Sequence, residues 1–448
     1  MAHKHRKRAA SWLGGFCVLA VSVAGTQADD GDTKEQVREL MRQNQSLQEQ
    51  LKQQREMIDA LTKQVSEIQE GKAQQSRKME DLQLEMKDAS AQPKSSGGYA
   101  GNVRISGEGG VGFFASGSEG MYPHNEFRID EARLFLEGPV WDPGQVYFYT
   151  EINMATREEP DVQLRLGEAY LDFENLSRFW KCEHLLNARI GRFYAPFGEE
   201  YQRRYAIDNP LISRSLSDLW AVDEGLELYG SAGKFAYATA VQNGGIPDTA
   251  DFNSDKAVAG RVGFDPKPWL HLSASAMRTG DLDVAGDRMS AMWFSSAFFR
   301  SIGSPATTTF HANLFEGDVE FYVPHGHLQA FGGYIDYGDN DPAGNNHRDV
   351  YYYTVEAVHD ILPKFYGAVR FNQIFANHGF PIVGNGNFGR YFFGPLTDEI
   401  WRLSLGLGYR FSPNLIFKGE YSFEEGRQVN GDARNHEDLF AVEGAYRF

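Results

Sequence analysis

One segment of the sequence, 191–220, is rich in groups that bind oxyanions. Its arginines are Arg192, Arg203, Arg204 and Arg214, and they are accompanied by Glu199 and Glu200. A guanidinium group can hold an oxyanion by two parallel hydrogen bonds, and a narrow, low-dielectric space strengthens that attraction. The alternative is that the arginines pair with nearby acids, among them Asp208 and Asp218, and only shape the segment. The sequence leaves both readings open.

The sequence carries no recognisable catalytic motif. It contains no His-Glu-x-x-His, no Cys-x-x-Cys and no Gly-x-Ser-x-Gly, and its histidines are scattered. Acidic stretches such as 336–341 could bind divalent cations, although solvated loops of this composition are more common. We therefore expect no enzymatic activity, no cofactor and no metal ligands.

The composition excludes two large classes of protein. The chain has 448 residues and a net charge of −17, with 42% hydrophobic residues and no apolar run of 18 residues. A helical membrane protein needs such a run, so that class is excluded. The acidic balance argues against a nucleic-acid partner, which would need a clustered basic face.

Residues 1–28 have the pattern of a signal peptide. Four cations between Lys4 and Arg8 precede an apolar stretch over 9–24. Cleavage is predicted after Ala28, with Ala24 as the other small-residue site. The mature chain then keeps one thiol, Cys182, so no internal disulfide can form. The sequence predicts an exported protein.

The next segment, 33–92, predicts a periplasmic coiled coil. None of the 60 aromatic residues lies between residues 26 and 98, and 11 of the 15 a and d positions from Val37 to Met86 are apolar. Asn44 and Gln54 would set the register of the seam. The alternative is a single amphipathic helix lying on the following domain. Residues 93–98 are predicted to form a linker.

From residue 99 the apolar period changes to two, which indicates β-strands. In Trp401–Phe411 the odd positions are aromatic or aliphatic and the even ones are Arg, Ser or Gly. We count 17 candidate strands. The links between successive strands alternate between long and short only if the candidate at 288–299 belongs to a loop, which leaves 16 strands. Residues 99–448 are thus predicted to form an all-β transmembrane barrel of about 16 antiparallel strands. The terminal Phe448 resembles the signal read by the barrel assembly machinery.

The polar strand faces are expected to line the lumen. Their predicted cations are Arg133, Arg189, Arg261, Arg370, Arg402, Arg410, Lys418 and Arg447. Eight acids are assigned to the same faces, namely Glu137, Glu151, Glu168, Asp172, Glu320, Glu356, Glu420 and Glu443. A wall with eight charges of each sign would be balanced, so selectivity would depend on the constriction. Segment 191–220 is predicted to be a long link folded into the lumen, and its predicted constriction residues are Arg192, Arg203, Arg204, Arg214, Glu199 and Glu200.

Several segments, in order, resemble the phosphate-selective porins O and P. They are EARLFLEG (131–138), GRFYAPFGEEY (191–201), EGLELYG (224–230), AVQNGG (240–245) and GLGYRFSPNLIFKGEYSF (406–423). The resemblance implies a trimeric channel of 16 strands that passes anions through a constriction lined by Arg and Lys.

Together these patterns predict a homotrimeric porin in the outer membrane of a Gram-negative-type cell, in contact with outer-membrane lipid. It would be a diffusion channel for small hydrophilic solutes, either general or preferring anions such as phosphate. One alternative is a structural tether, in which the coil over 33–92 binds peptidoglycan or other cell-wall components. Another is a carbohydrate-type porin, in which tyrosine-rich strands form a track for sugars.

Overall fold

The structure is a computed structural model that describes residues 103–141, 145–155, 164–245, 253–283, 307–341 and 346–448. The predicted signal peptide, coiled coil and linker (1–98) lie outside these residues. So does the candidate strand at 288–299. Within the described residues, no helix is both long and apolar enough to span a membrane.

The described residues form eighteen strands in one sheet. Sixteen of them are long, with 8 to 16 residues, and two contain only two residues. In chain order they are β1 (Arg104–Ser116), β2 (Glu126–Trp141), β3 (Val146–Ala155), β4 (Arg165–Phe173), β5 (Asn187–Tyr194), β6 (Val222–Ala232), β7 (Phe235–Gln242), β8 (Ala257–Lys267), β9 (Leu270–Arg278), β10 (Leu282–Asp283), β11 (Thr309–Val323), β12 (Gly326–Asp339), β13 (Arg348–Leu362), β14 (Phe365–Phe380), β15 (Thr397–Ser412), β16 (Leu415–Gln428), β17 (Ala433–Arg434) and β18 (Leu439–Arg447).

Helical structure in the described residues is confined to short segments between strands. One α-helix covers Phe388–Phe393, and Asn387 caps it by accepting the backbone N–H of Arg390 at 3.0 Å. Two 3₁₀ turns cover Leu176–Trp180 and Glu200–Arg203.

The long strands close into a ring. Each pairs antiparallel with its neighbours, β9 pairs with β11, β16 pairs with β18, and β1 pairs with both β2 and β18. Closure leaves no edge among the long strands that the structure describes, so their backbone donors and acceptors are satisfied within the sheet. The predicted barrel of 16 antiparallel strands is confirmed.

The two faces of the barrel differ in polarity. Along β13, Tyr353 and Val355 are 39% and 40% exposed. Thr354, which lies between them, and Glu356, which follows Val355, are each 1% exposed. Because side chains alternate along a strand, the exposed residues face outward and the buried polar ones face the interior. The outer face is therefore largely apolar and the interior polar.

The links between strands differ in length at the two ends of the barrel. The turns joining β11 to β12, β13 to β14 and β15 to β16 are tight. The C-terminal strand ends beside one of them, because the backbone N–H of Arg447 donates to the carbonyl of Asn414 at 3.0 Å. We refer to this as the short-turn end. The opposite, long-loop end carries the longer links, including 195–221 between β5 and β6.

Candidate constriction of the barrel lumen

Residues 195–221, here called the lumen loop, lie inside the barrel. The backbone N–H of Ala206 donates to Glu131 of β2 at 3.1 Å, and that of Gly198 donates to Ser275 of β9 at 3.0 Å. The backbone N–H of Ser213 donates to Glu420 of β16 at 2.7 Å. β9 lies on the opposite side of the ring from β2 and β16, so the loop must cross the interior to reach all three.

The local sequence explains how the loop enters and packs. Its ends are joined where the N–H of Ala195 donates to the carbonyl of Ala221 at 2.8 Å. Gly198 has a φ of 69°, and a Cβ there would collide with the carboxylate of Glu316, so the turn requires glycine. Apolar side chains such as Leu216, which is 3% exposed, complete the packing.

Arg203 and Arg204 are adjacent in sequence but bind different parts of the barrel. Arg203 donates to Glu320 of β11 at 2.6 Å and to Gln329 of β12 at 2.8 Å. Arg204 instead forms a two-pronged pair with Asp218 of the same loop, at 2.9 and 3.0 Å. Its guanidinium carbon also lies 4.3 Å from the ring centroid of Trp220, which adds a cation–π contact. Both guanidinium charges therefore have carboxylate partners.

The other two arginines of the 191–220 segment differ in position. Arg214 belongs to the loop and binds Glu131 of β2. Arg192 does not, because the β5 ladder continues as far as Tyr194, which pairs with Val222 of β6. Its Nε donates to Glu224 of the neighbouring strand at 2.8 Å. The prediction that placed Arg192 in the loop was wrong.

The two predicted glutamates hold different elements in place. Glu199 accepts from Arg261 of β8 at 3.3 Å and lies 3.4 Å from Nε2 of His271 on β9. Glu200 accepts the backbone N–H of Ser215 at 3.0 Å, which ties the two halves of the loop together. Burial raises the pKa of Glu200 above its ordinary value, and the nearby charge of Asp218 raises it further.

Four of the six predicted constriction residues line one cavity between the loop and the wall. Its lining consists of Glu200, Arg203, Arg204, Asn209, Pro210, Arg214, Gln329, Glu356 and Arg370. Four guanidinium groups thus meet two carboxylates at this point. Arg192 and Glu199 are not among the lining residues.

Five of the eight wall cations bind the lumen loop, and four of these donate to its backbone carbonyls. The donor–acceptor pairs are Arg261 with Gly198 at 2.9 Å, Arg370 with Ser213 at 2.8 Å, Arg402 with Arg214 at 3.0 Å, and Lys418 with Ala206 at 2.7 Å. The fifth, Arg447, binds the carboxylate of Asp208 at 2.5 Å. These cations therefore hold the loop against the wall.

The remaining three wall cations bind acids on other strands, and Arg133 also lies over the ring of Tyr205 in the lumen loop at 4.7 Å. The pairs are Arg133 with Glu151 at 3.0 Å, Arg189 with Glu227 at 2.9 Å, and Arg410 with Asp360 at 2.6 Å. That any of the eight cations contacts a permeating solute stays a prediction.

The charge count made from the sequence missed several interior acids. Glu131 binds Arg214 of the loop, and Glu108 lies 3.0 Å from Arg447. Glu131 lies two residues before Arg133 on β2 and shares its interior face by simple alternation, although the count omitted it. Glu227 and Glu424 also bind interior arginines. The wall is therefore richer in acids than the predicted eight against eight.

Comparison with solved structures shows the same fold in outer-membrane channels. The outer membrane channel DcaP of Acinetobacter baumannii is 13% identical, with 77% of this chain and 97% of that chain covered and a TM-score of 0.52. An anion-selective porin from Comamonas acidovorans is 11% identical, with 77% and 98% covered and a TM-score of 0.51. Outer-membrane expressed OmpT of Vibrio cholerae is 12% identical, with 77% and 97% covered and a TM-score of 0.50.

Sequence comparison adds no closer relationship. The chain matches no model of a known protein family, and no curated protein matches it. The resemblance to the phosphate-selective porins O and P therefore stays a prediction, while the closed barrel fold is shared with these solved structures.

Proposed function

We propose that this chain is an outer-membrane diffusion channel for small hydrophilic solutes. The observation that carries the proposal is the combination of a closed barrel, an apolar outer face and a polar interior crossed by the lumen loop. A closed sheet can cross lipid because it satisfies its own backbone, and the inward loop would narrow the passage. The fold shared with DcaP is consistent with this proposal.

The finer proposal is a modest preference for small oxyanions such as phosphate. Its support is the cavity lining, in which Arg203, Arg204, Arg214 and Arg370 outnumber two carboxylates. The ion pairs with Asp218, Glu320 and Glu131 offset much of that positive charge. Arg203 has the most exposed side chain of the three loop arginines, at 35%, and is the group best placed to meet a passing anion.

Planar-bilayer recording tests both levels of the proposal. The protein should conduct, and the reversal potential in a salt gradient should show a small excess of anion over cation permeability. Added phosphate should compete with chloride more strongly than an uncharged sugar does. A protein that inserts but stays silent would overturn the channel proposal. Conduction with cation preference would overturn only the finer proposal.

A structural tether is the second candidate, and the heptad pattern over 37–86 is the observation that favours it. A helix of that length would extend about 75 Å at 1.5 Å per residue, enough for a coil to reach from the membrane towards the cell wall. In that case the barrel serves as an anchor. Binding of purified peptidoglycan by the full chain, together with absence of conductance, would favour the tether.

A carbohydrate-type channel is the third candidate, and the observation that favours it is a row of tyrosine rings in the barrel interior. Tyr149 and Tyr170 stack with centroids 5.1 Å apart, and Arg189 lies over Tyr170 at 4.2 Å and over Tyr229 at 5.2 Å. Stacked aromatic faces can bind the apolar faces of sugars. A block of conductance by oligosaccharides, stronger than that by phosphate, would favour this reading.

A further inference from the structure

Two carboxylates oppose each other on the outer face of the barrel. Asp336 of β12 lies directly opposite Asp349 of β13. The pair Tyr334–Tyr351 lies two residues away along the same strands, on the side away from the long-loop end. Tyr351 is 47% exposed, so this row of side chains faces outward. Like charges directly across a strand pair repel each other and destabilise the sheet unless something neutralises them.

A histidine completes the group. His347 lies two residues before Asp349, and its Nε2 is 3.6 Å from Oδ1 of Asp336 and 3.7 Å from Oδ1 of Asp349. One donor atom from each of the three residues lies within 4.8 Å of the others. Two ligands about 2.1 Å from a tetrahedral ion are about 3.4 Å apart, so only a small adjustment would place all three on one ion.

The surrounding contacts orient both carboxylates. The hydroxyl of Tyr334 donates to Oδ1 of Asp349 at 2.5 Å, and Asn313 donates to Oδ2 of Asp336 at 3.4 Å. The other oxygen of Asp336, Oδ1, is buried and accepts no hydrogen bond from any residue that the structure describes. It is the same atom that faces His347, so a buried acceptor points to the centre of the group. Hydrogen bonds of this kind hold metal ligands in position.

We propose that Asp336, His347 and Asp349 form a binding site for a divalent transition-metal ion, with Zn²⁺ the expected occupant. Two carboxylates and a neutral imidazole carry a charge of −2, which a divalent ion neutralises. The imidazole favours zinc over calcium and magnesium, which take oxygen ligands. Three protein ligands leave one position for water or an outside ligand. The ion would link β12 to β13 at the base of their loop.

The test uses the untagged, exported full chain in detergent, with Zn²⁺ alone as the probe in titration calorimetry. The chain should bind one Zn²⁺, and His347→Ala and Asp336→Asn should each weaken binding at least tenfold. Tyr334→Phe, which leaves all three ligands in place, should weaken it by about tenfold. Asn has nearly the shape of Asp, and heat-dependent gel mobility will verify that each variant keeps its barrel.

The matched control is His271→Ala. His271 also contacts two carboxylates, but through different ring nitrogens, with Nδ1 2.8 Å from Asp265 and Nε2 3.4 Å from Glu199. It cannot direct both acids to one ion, so its loss should leave Zn²⁺ binding unchanged. The proposal is overturned if the chain binds no Zn²⁺, if it prefers Ca²⁺, or if the His271 and His347 variants lose binding equally.

Discussion

Glu420 accepts the backbone N–H of Ser213 at 2.7 Å, although 207 residues separate them in sequence. The same carboxylate oxygen accepts the N–H of Ile212 at 2.6 Å. A wall residue of β16 therefore holds this part of the lumen loop by its main chain.

Glu420→Ala should release this part of the loop. A hydrogen bond to a charged group contributes about 1.5–3 kcal/mol, and the substitution also leaves two buried N–H groups without an acceptor. We expect larger and noisier single-channel conductance. The temperature at which the barrel unfolds should stay nearly constant, because the backbone pairing of β16 with β15 and β18 does not involve this side chain. Glu425→Ala, an exposed change on the same strand, is the control. Unchanged conductance in Glu420→Ala would show that the loop is held elsewhere.

The double substitution Arg203→Ala with Arg204→Ala should shift permeability towards cations. It removes two of the four guanidinium groups around the cavity and leaves Glu320 and Asp218 without these partners. The reversal potential in a tenfold salt gradient measures the shift, and raised salt should reduce it modestly because an enclosed pore is screened less than an open surface. Arg427→Ala, which removes a more exposed cation near Asp398, should have no effect. If the reversal potential does not change, the arginines only shape the loop.

The lumen loop should pack more tightly at acidic pH. Burial and the charge of Asp218 raise the pKa of Glu200 above 4.5, so its ionised form is penalised in the folded loop. That penalty is absent below the ordinary pKa, grows as the pH rises from the ordinary to the raised pKa, and is constant above it. Conductance should therefore become quieter as the pH is lowered towards the ordinary pKa of a glutamate.

Glu200→Gln should remove most of this response, because the amide oxygen can still accept from Ser215 but cannot ionise. Glu199→Gln removes a neighbouring carboxylate of the same loop and serves as the control. Equal pH responses in the two variants would assign the effect to another group.

Deleting 33–92 should leave a folded, conducting barrel. The closed sheet satisfies its backbone within residues that begin at Arg104, so the coil is not needed for closure. Cross-linking should show whether the predicted trimer forms without the coil, which tests whether the segment that contains Asn44 and Gln54 is needed for assembly. Failure of the deletion variant to insert would refute the division of the chain at 93–98.

The strands were predictable from the sequence because the alternation of side chains along a strand is a local property. Thr354 and Val355, for example, face opposite sides of the sheet. The partners of the arginines were not. Asp218 lies 14 residues from Arg204, but Glu320 lies 117 residues from Arg203, and no periodicity links such positions. Side-chain alternation predicts the wall, whereas the constriction depends on contacts that only closure creates.

The anchors of the lumen loop also limit the order in which the chain can fold. Ala206 is held by Glu131, and Ser213 by Glu420, so the binding sites for one short segment come from opposite ends of the barrel sequence. Those sites are brought together only when β18 has paired with β1. Contacts of such sequence separation form late because the intervening chain must be ordered first. The barrel must therefore close before this part of its constriction can reach its final position.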